Sequence, residues 1–329
     1  MSRHPESIKD EIRQLKAQHN VLFLAHYYED GAIQDLADHV GDSLALAQWG
    51  QRAQNSIILL AGVVFMAESV KLLSPEKTVL VPDLAAGCSL VDHSPFPEYL
   101  KWRQEHPNGI TVTYVNSSAK VKAITDVCVT SSNAEKIIGA IPRDREILFG
   151  PDRNLGRYLA KKLNRPMLLW PGSCDVHVQF SMRKLQELKL QYPEALVIAH
   201  PECDETVLQL SHVIGSTSRL LEEVRTNRST RTFIVATEHG IFHEMKKARP
   251  DALLLQAPAE GSCACNECPY MKLNTLEKVR DALRNLSPAI DVNPEIAGLA
   301  RLGLERMMAI TNGKGVNWPA QFEAPPLFA

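Results

Sequence analysis

Nowhere in this chain do about 18 apolar residues run together, so no membrane span is expected. Met1 to Gln18 is polar with charges of both signs, which gives no reason to expect a secretory leader. Basic charge is not in excess either. Thirty-six Lys and Arg face 38 Asp and Glu, a formal net charge of -2, so the global positive field of a nucleic-acid binder is missing. That leaves room for a local site taking a small anion. Two paired CxxC half-sites, the usual frame of a structural zinc, are absent. The cysteine count, seven, is odd, which suits reactive or metal-bound thiols better than a disulfide framework. The expected compartment is therefore the reducing cytoplasm. What is present is ordinary for a globular protein: 329 residues, 45% hydrophobic and 22% charged, enough for two or three domain-sized cores without staples.

Against that background one stretch stands out. AEGSCACNECPYMKLNTL puts Cys263, Cys265 and Cys268 within six residues. In a chain of this character such crowding points to metal or redox chemistry, with further ligands supplied from elsewhere.

The rest of the chain has the texture of strand, turn and helix in alternation. Val21 to Ala25, Ile57 to Leu60 and Thr78 to Val81 are short apolar runs ending in polar or glycine residues. Helical spacing falls between them, in Ile33 to Val40, Ser43 to Ala53 and Ala67 to Leu73, and Pro5 to His19 reads as an amphipathic helix lying on the body through Ile8, Ile12 and Leu15. Buried strands alternating with helices imply parallel sheets of the α/β class.

The landmarks also recur. A polar residue closes a strand at His26, Tyr114 and His200, 88 and 86 residues apart, and 17 residues after each comes a hydroxyl: Ser43, Ser131 and Thr217. Each hydroxyl is expected to begin a helix. A second strand end falls at Gly62, Gly150 and Thr237, at offsets of 88 and 87, and a third carries Cys88, Cys174 and the cluster beginning at Cys263. Three homologous α/β units of about 87 residues follow from this spacing. Units meeting about a pseudo-threefold axis would bring Cys88, Cys174 and one of the last three cysteines together, since ligands of α/β folds bind at the carboxyl ends of strands. Cys128, inside an apolar run, reads as a packing residue, and Cys203 in HPECDE fits either packing or the site, with packing the preferred reading.

Three convergent thiolates without a fourth describe a metal centre with an open position. A [4Fe-4S] cluster held by three cysteines and a zinc ion with three thiolates and water both satisfy that description, and spacing alone does not separate them. The surrounding residue types suit an anionic, oxygen-rich substrate. Ser43, Ser131 and Thr217 at helix N-termini make carboxylate or phosphate sites. His26, Tyr28, Tyr114, His177, His200 and Glu202 are types that transfer protons near neutral pH.

As an ordered set, AHYY with GDSLALA, DLAAGCSL, TYVNSSAKVKAITDVCVTSSNA, PDRNLGRYLA, LLWPGSCDVH, VIAHPEC, IGSTSRL, ATEHGIFHEM and CPYMKLNTLEKV make the chain resemble the quinolinate synthase (quinolinate synthetase A) family from His26 to about Val279. The resemblance implies three pseudo-symmetric three-layer α/β domains, with parallel sheets, around a central [4Fe-4S] cluster. It also implies a transferase of de novo NAD biosynthesis that condenses iminosuccinate with dihydroxyacetone phosphate to quinolinate, losing phosphate and two waters. The family's cluster ligands fall on Cys88, Cys174 and Cys268, the last chosen on the motif before Met271 and Lys272 although repeat spacing favours Cys263. Cys263 and Cys265 are then extra thiols, in a Cys-x-Cys-x-x-Cys that departs by one residue from the CxxCxxC of some members. The substrate contacts fall on His26, Ser43, Tyr114, Asn116, Ser131, His200, Glu202 and Thr217, and the catalytic roles on Tyr28, Tyr114, His177, His200 and Glu202.

The expected organisation is an N-terminal helix and first repeat over 1–104, a second repeat over 105–190, a third over 191–280, and a C-terminal helical extension over 281–329. The expected partners are the two small substrates, with handover of iminosuccinate from L-aspartate oxidase, and neither nucleic acid nor membrane.

Overall fold

The computed structural model describes residues 5–261 and 266–328. Cys263 and Cys265 lie outside the described residues. The chain divides into two compact units, one of residues 1–88 with 267–294 and the other of residues 89–266 with 295–329.

The first unit holds a four-stranded parallel sheet of β1 (Val21–His26), β2 (His39–Gly41), β3 (Ile57–Ala61) and β4 (Thr78–Leu80), in the order β2-β1-β3-β4. Alternation along β1 decides which helices cover which face. Val21, Phe23 and Ala25 pack with Leu59, Ala61, Ile8 and Ile12, and with Val279, Ala282 and Leu283 of the helix Leu276–Asn285. The N-terminal helix Pro5–Gln18 therefore lies on the body as its Ile8, Ile12 and Leu15 spacing predicts.

The second unit holds two more sheets of the same form. One is β5 (Ile110–Tyr114), β6 (Val127–Val129), β7 (Ile147–Gly150) and β8 (Leu168–Leu169), ordered β6-β5-β7-β8. The other is β9 (Leu196–Ala199), β10 (Val213–Ile214), β11 (Thr232–Ala236) and β12 (Leu253–Gln256), ordered β10-β9-β11-β12. All pairings within the three sheets are parallel. A helix-sheet-helix pattern thus occurs three times with one strand order, which is the α/β architecture the repeat predicts.

That strand order has a functional consequence. In each sheet the chain steps from its first strand outward to the second, then returns past the first to place the third on its other side. The crossovers on either side of the first strand run over opposite faces, so a crevice opens at the carboxyl ends of the first and third strands. His26 and Gly62 stand there in the first sheet, Tyr114 and Gly150 in the second, and His200 and Thr237 in the third. The recurring polar residues are the residues of the three switch points.

Two local expectations are corrected. Ile33 to Val40 is not one helix: a short turn of helix, Gly31–Gln34, gives way to β2. Asp38 drives the change, because its amide donates to Phe23 O at 2.7 Å and its carboxylate accepts from Phe23 N at 2.8 Å, drawing the chain onto the sheet. Ser131 does not begin a helix. Asn133 Oδ1 accepts from the Thr130 amide at 2.7 Å, closing a turn over 130–133 that delays the helix to Ala134–Ala140. Ser43 and Thr217 do open their helices, behind the capping side chains of Asp42 and Ser216.

The helix Pro294–Thr311 belongs to the second unit, where Gly303 approaches Cys128 and Arg306 donates to Asp126 O at 2.7 Å. Among the described residues no helix is long and apolar enough to cross a membrane.

Candidate active site

Five cysteines are described, none is disulfide-bonded, and they fall into two classes. Cys128 on β6 and Cys203 after β9 are fully buried. Burial pushes the Cys128 thiol up to about 12, and burial with the charges of Glu202 and Asp152 pushes Cys203 well above its ordinary range. Cys203 donates to Ala236 O at 3.3 Å, so both are packing residues, as the apolar run around Cys128 predicts for the one and as burial decides for Cys203 in its polar HPECDE stretch. Cys88, Cys174 and Cys268 are partly exposed. Cys88 and Cys174 are thiols that the strand-end pattern singles out and Cys268 is the one that the family resemblance adds, and the access of all three suits ligation.

In the second unit the expected side chains gather at the switch points of its two sheets. His177 is the hub. Its Nδ1 lies 2.9 Å from Glu202 Oε2 and 3.2 Å from Cys174 Sγ, and its Nε2 lies 2.9 Å from Thr237 Oγ1. His200 stacks obliquely beside it with ring centroids 4.8 Å apart, placing Nδ1 3.9 Å from Glu202 Oε1 and Nε2 3.2 Å from Ser131 Oγ. The Tyr114 hydroxyl donates to the Glu202 carboxylate. His177, His200, Glu202 and Thr217 are all nearly inaccessible.

Local sequence explains the placement. Tyr114 ends β5, His200 follows β9, and the Pro201 turn brings Glu202 back toward the imidazoles. Burial alone would raise the Glu202 pKa, but the charges of His200 and His177 and hydrogen bonds from His177 and Tyr114 outweigh it and hold the carboxyl down to about 2. An anion so held fixes a proton on the facing nitrogen of His177 and leaves Nε2 to the Thr237 hydroxyl. Nearby, the buried Lys122 ammonium donates to Val115 O at 2.8 Å and to Ser117 O, gripping the backbone on both sides of Asn116. Asn116 Oδ1 is buried with no hydrogen-bond partner among the described residues.

The first unit carries the remaining expected residues. The His26 and Tyr28 rings meet edge-on with centroids 4.6 Å apart, and Tyr28 N donates to His26 Nδ1 at 3.2 Å. Lys272 Nζ donates to Tyr28 O at 3.1 Å, and Asn274 Nδ2 donates to Glu29 Oε1 at 2.7 Å and Gly62 O at 2.9 Å. The strap after Cys268 is therefore tied to the loop carrying Tyr28. The same strap reaches the Cys88 loop, because Tyr270 packs where a side chain on Gly87 would stand, 3.3 Å from an added Cβ. Ser43 is half-buried at the start of the helix Ser43–Arg52.

Two residues of this constellation are absent from the sequence-based set. Thr237 is legible only as a strand end, and its hydroxyl stands where the other two repeats have Gly62 and Gly150. Asp152 sits in PDRNLG, where an aspartate three residues before a leucine reads simply as a helix cap. In the structure it is fully buried, accepting from Leu155 N at 2.7 Å and from Cys174 N at 3.2 Å. Burial, then the charge of Glu202, push its carboxyl well above the usual range.

Residues 10–309 match the family model described as Quinolinate synthetase A protein. The chain is 47% identical over 307 residues to a quinolinate synthase of Microcystis aeruginosa, covering 93% of this chain and 96% of that protein. It is 48% identical over 307 residues to one of Gloeothece citriformis, at 93% and 95% coverage, and 48% identical over 301 residues to one of a Nostoc species, at 92% and 93%.

Proposed function

The chain belongs to the quinolinate synthetase A family, and from that premise we propose that it is a quinolinate synthase, condensing iminosuccinate with dihydroxyacetone phosphate to quinolinate with loss of phosphate and two waters. The observation that carries this reading is the placement of His177, Glu202, His200 and Tyr114 beside the accessible Cys174 at the strand ends of the second unit. The division at residues 104, 190 and 280, the cytoplasmic compartment and the supply of iminosuccinate by L-aspartate oxidase are parts of the same reading.

Cys88, Cys174 and Cys268 are the thiolates that would hold a [4Fe-4S] cluster, and the donor set fits: they are the three described thiols left accessible while Cys128 and Cys203 are sealed into cores. Bound through three cysteines, such a cluster offers one iron as a Lewis acid toward a substrate oxygen. The protein's own part is binding and proton movement. Asn116, Ser43, Ser131 and Thr217 would take carboxylate and phosphate oxygens, with His26, Tyr28 and Tyr114 around the three-carbon substrate. His200 Nε2, in line with the Ser131 hydroxyl, would take and return protons during dehydration. Glu202, an anion at neutral pH, would hold the His177 proton and partner the Tyr114 hydroxyl. Closing the crevice against water protects iminosuccinate, which hydrolyses readily in bulk solution.

One observation favours a second reading. Cys174 Sγ, a nitrogen of His177 and a carboxylate oxygen of Glu202 lie within 4.8 Å of one another, a donor set that also suits a single zinc ion. Purification without oxygen, followed by a spectrum, iron and sulfide analysis and an assay for quinolinate, separates the two. About four irons per chain and a broad absorption toward the violet, lost in Cys88→Ala, Cys174→Ala and Cys268→Ala but retained in Cys263→Ala, are expected. A colourless zinc protein that makes no quinolinate would overturn the cluster reading.

A further inference from the structure

We propose that Asp152 is the positioning residue that sets Cys174 and Glu202 in register with each other. The inference rests on Cys174 being a cluster ligand.

Asp152 follows β7 and caps the helix Arg153–Lys162. Capping needs one acceptor oxygen, and Ser118, Ser181, Ser216 and Thr275 cap their helices in this chain with a single hydroxyl. Asp152 has a second oxygen. While Oδ1 takes the Leu155 amide, Oδ2 takes the amide of Cys174, 22 residues along the chain. The backbone reinforces the link, because Asp152 pairs with Gly172 in an isolated parallel bridge and Arg153 N donates to Gly172 O at 2.9 Å. Gly172 permits this approach, since a Cβ there would stand 2.6 Å from Pro151 O. On the other side Asn154, in the first turn of the same helix, donates from Nδ2 to Glu202 O at 3.1 Å.

These contacts close a ring. Asp152 holds Cys174, Cys174 meets His177 at 3.2 Å, His177 meets Glu202 at 2.9 Å, and Asn154 returns from Glu202 to the helix that Asp152 caps. Three chain segments far apart in sequence are thereby fixed around one imidazole. Without the second oxygen the Cys174 amide loses its acceptor and the loop 172–177 is free to shift against His177, while the helix keeps its cap. Such supporting contacts commonly change metal affinity by about 10- to 100-fold.

Asp152→Asn tests the two oxygens separately, since its amide oxygen can still cap the helix while its NH2 group faces the Cys174 amide. Full-length wild type, Asp152→Asn, Asp152→Ser and the cap control Asp42→Asn are compared without oxygen. In cluster-free chain, alkylation by iodoacetamide is followed by peptide mapping at Cys88, Cys174 and Cys268. In reconstituted chain, bound iron and the electron paramagnetic resonance spectrum of the reduced cluster are recorded, with an unfolding curve for each variant. For both Asp152 variants the expected results are a change of about threefold or more in the Cys174 alkylation rate with Cys88 and Cys268 unchanged, reduced iron retention and an altered spectrum; Asp42→Asn should change none of these. Wild-type alkylation, iron and spectrum in Asp152→Asn, or an equal rise at all three cysteines, would overturn the proposal. A wild-type chain that takes up no iron would count against the cluster reading alone, and the Cys174 alkylation arm would still decide the role of Asp152.

Discussion

Glu202 is buried among His177, His200 and Tyr114, and that company makes it an anion down to strongly acidic pH. Its ordinary carboxyl pKa is 4.5 and its folded value about 2, so between these values the unfolded chain binds a proton that the folded chain does not. Stability from this group is complete above pH 4.5 and is lost as pH falls toward 2, by on the order of 3 kcal/mol. Urea unfolding of wild type and Glu202→Gln at pH 5 and pH 3.5 should show the steeper acid loss in wild type; parallel losses would mean that the carboxyl is not held this way. Thr237 is a second test at this scale. Thr237→Val keeps the shape but removes a hydrogen bond to the buried His177 Nε2, a loss of about 1–3 kcal/mol, so kcat for quinolinate formation should fall roughly 5- to 100-fold. Thr237→Ser should restore most of it.

The helix Arg153–Lys162 shows how closely an element is seated. Gly156 in its middle faces the sheet, and an added Cβ would stand 2.6 Å from Leu169 Cδ2 and 2.7 Å from Phe149 Cδ1. On an exposed helix Gly→Ala gains about 1 kcal/mol. Here overpacking costs about 1–3 kcal/mol, and the Phe149 ring is fully buried with little room to yield, so the clash outweighs the propensity. Gly156→Ala should lower stability by up to about 2 kcal/mol net in urea titration. Any gain in stability would mean that the helix can lift away from β7 and β8. Spacing reveals such a helix but not that its one glycine is pressed between the Phe149 ring and Leu169, because that depends on how the helix seats on the strands before and after it.

For the molecule as a whole the C-terminal helix is a structural member. Ile296, Ala300, Leu304, Met307, Met308 and Ile310 are buried, so removing the helix would strip the cover from the apolar surface they pack on, at about 1.5–3 kcal/mol of burial for each large side chain before the ordering entropy of the helix is set against it. Whole domains are stable by about 5–15 kcal/mol. Truncation after Asn293 should therefore leave the second unit without a stable fold, read as loss of a cooperative thermal transition and rapid alkylation of Cys128, which Gly303 now approaches at 3.3 Å from an added Cβ. A truncated chain that still melts cooperatively with Cys128 protected would refute this role.

The sequence by itself determined the class of fold, the threefold recurrence and the identity of the strand-end residues, because period, strand length and turn chemistry are local and write themselves into neighbouring residues. His26, Tyr114 and His200 could be named, and Cys128 told from the accessible cysteines by the apolar run around it, whereas Cys203 in the polar HPECDE stretch was settled by its burial in the structure. Tertiary structure alone decided that Ser131 stays in a turn closed by Asn133, that Asp38 pulls Val40 into a strand, and that Thr237 and Asp152 stand behind His177 and Cys174. Each of these depends on a hydrogen bond whose geometry or partner no local period records, from three residues away in the Asn133 turn to 60 between Thr237 and His177. A donor and an acceptor leave no mark of their pairing until folding brings them within about 3 Å.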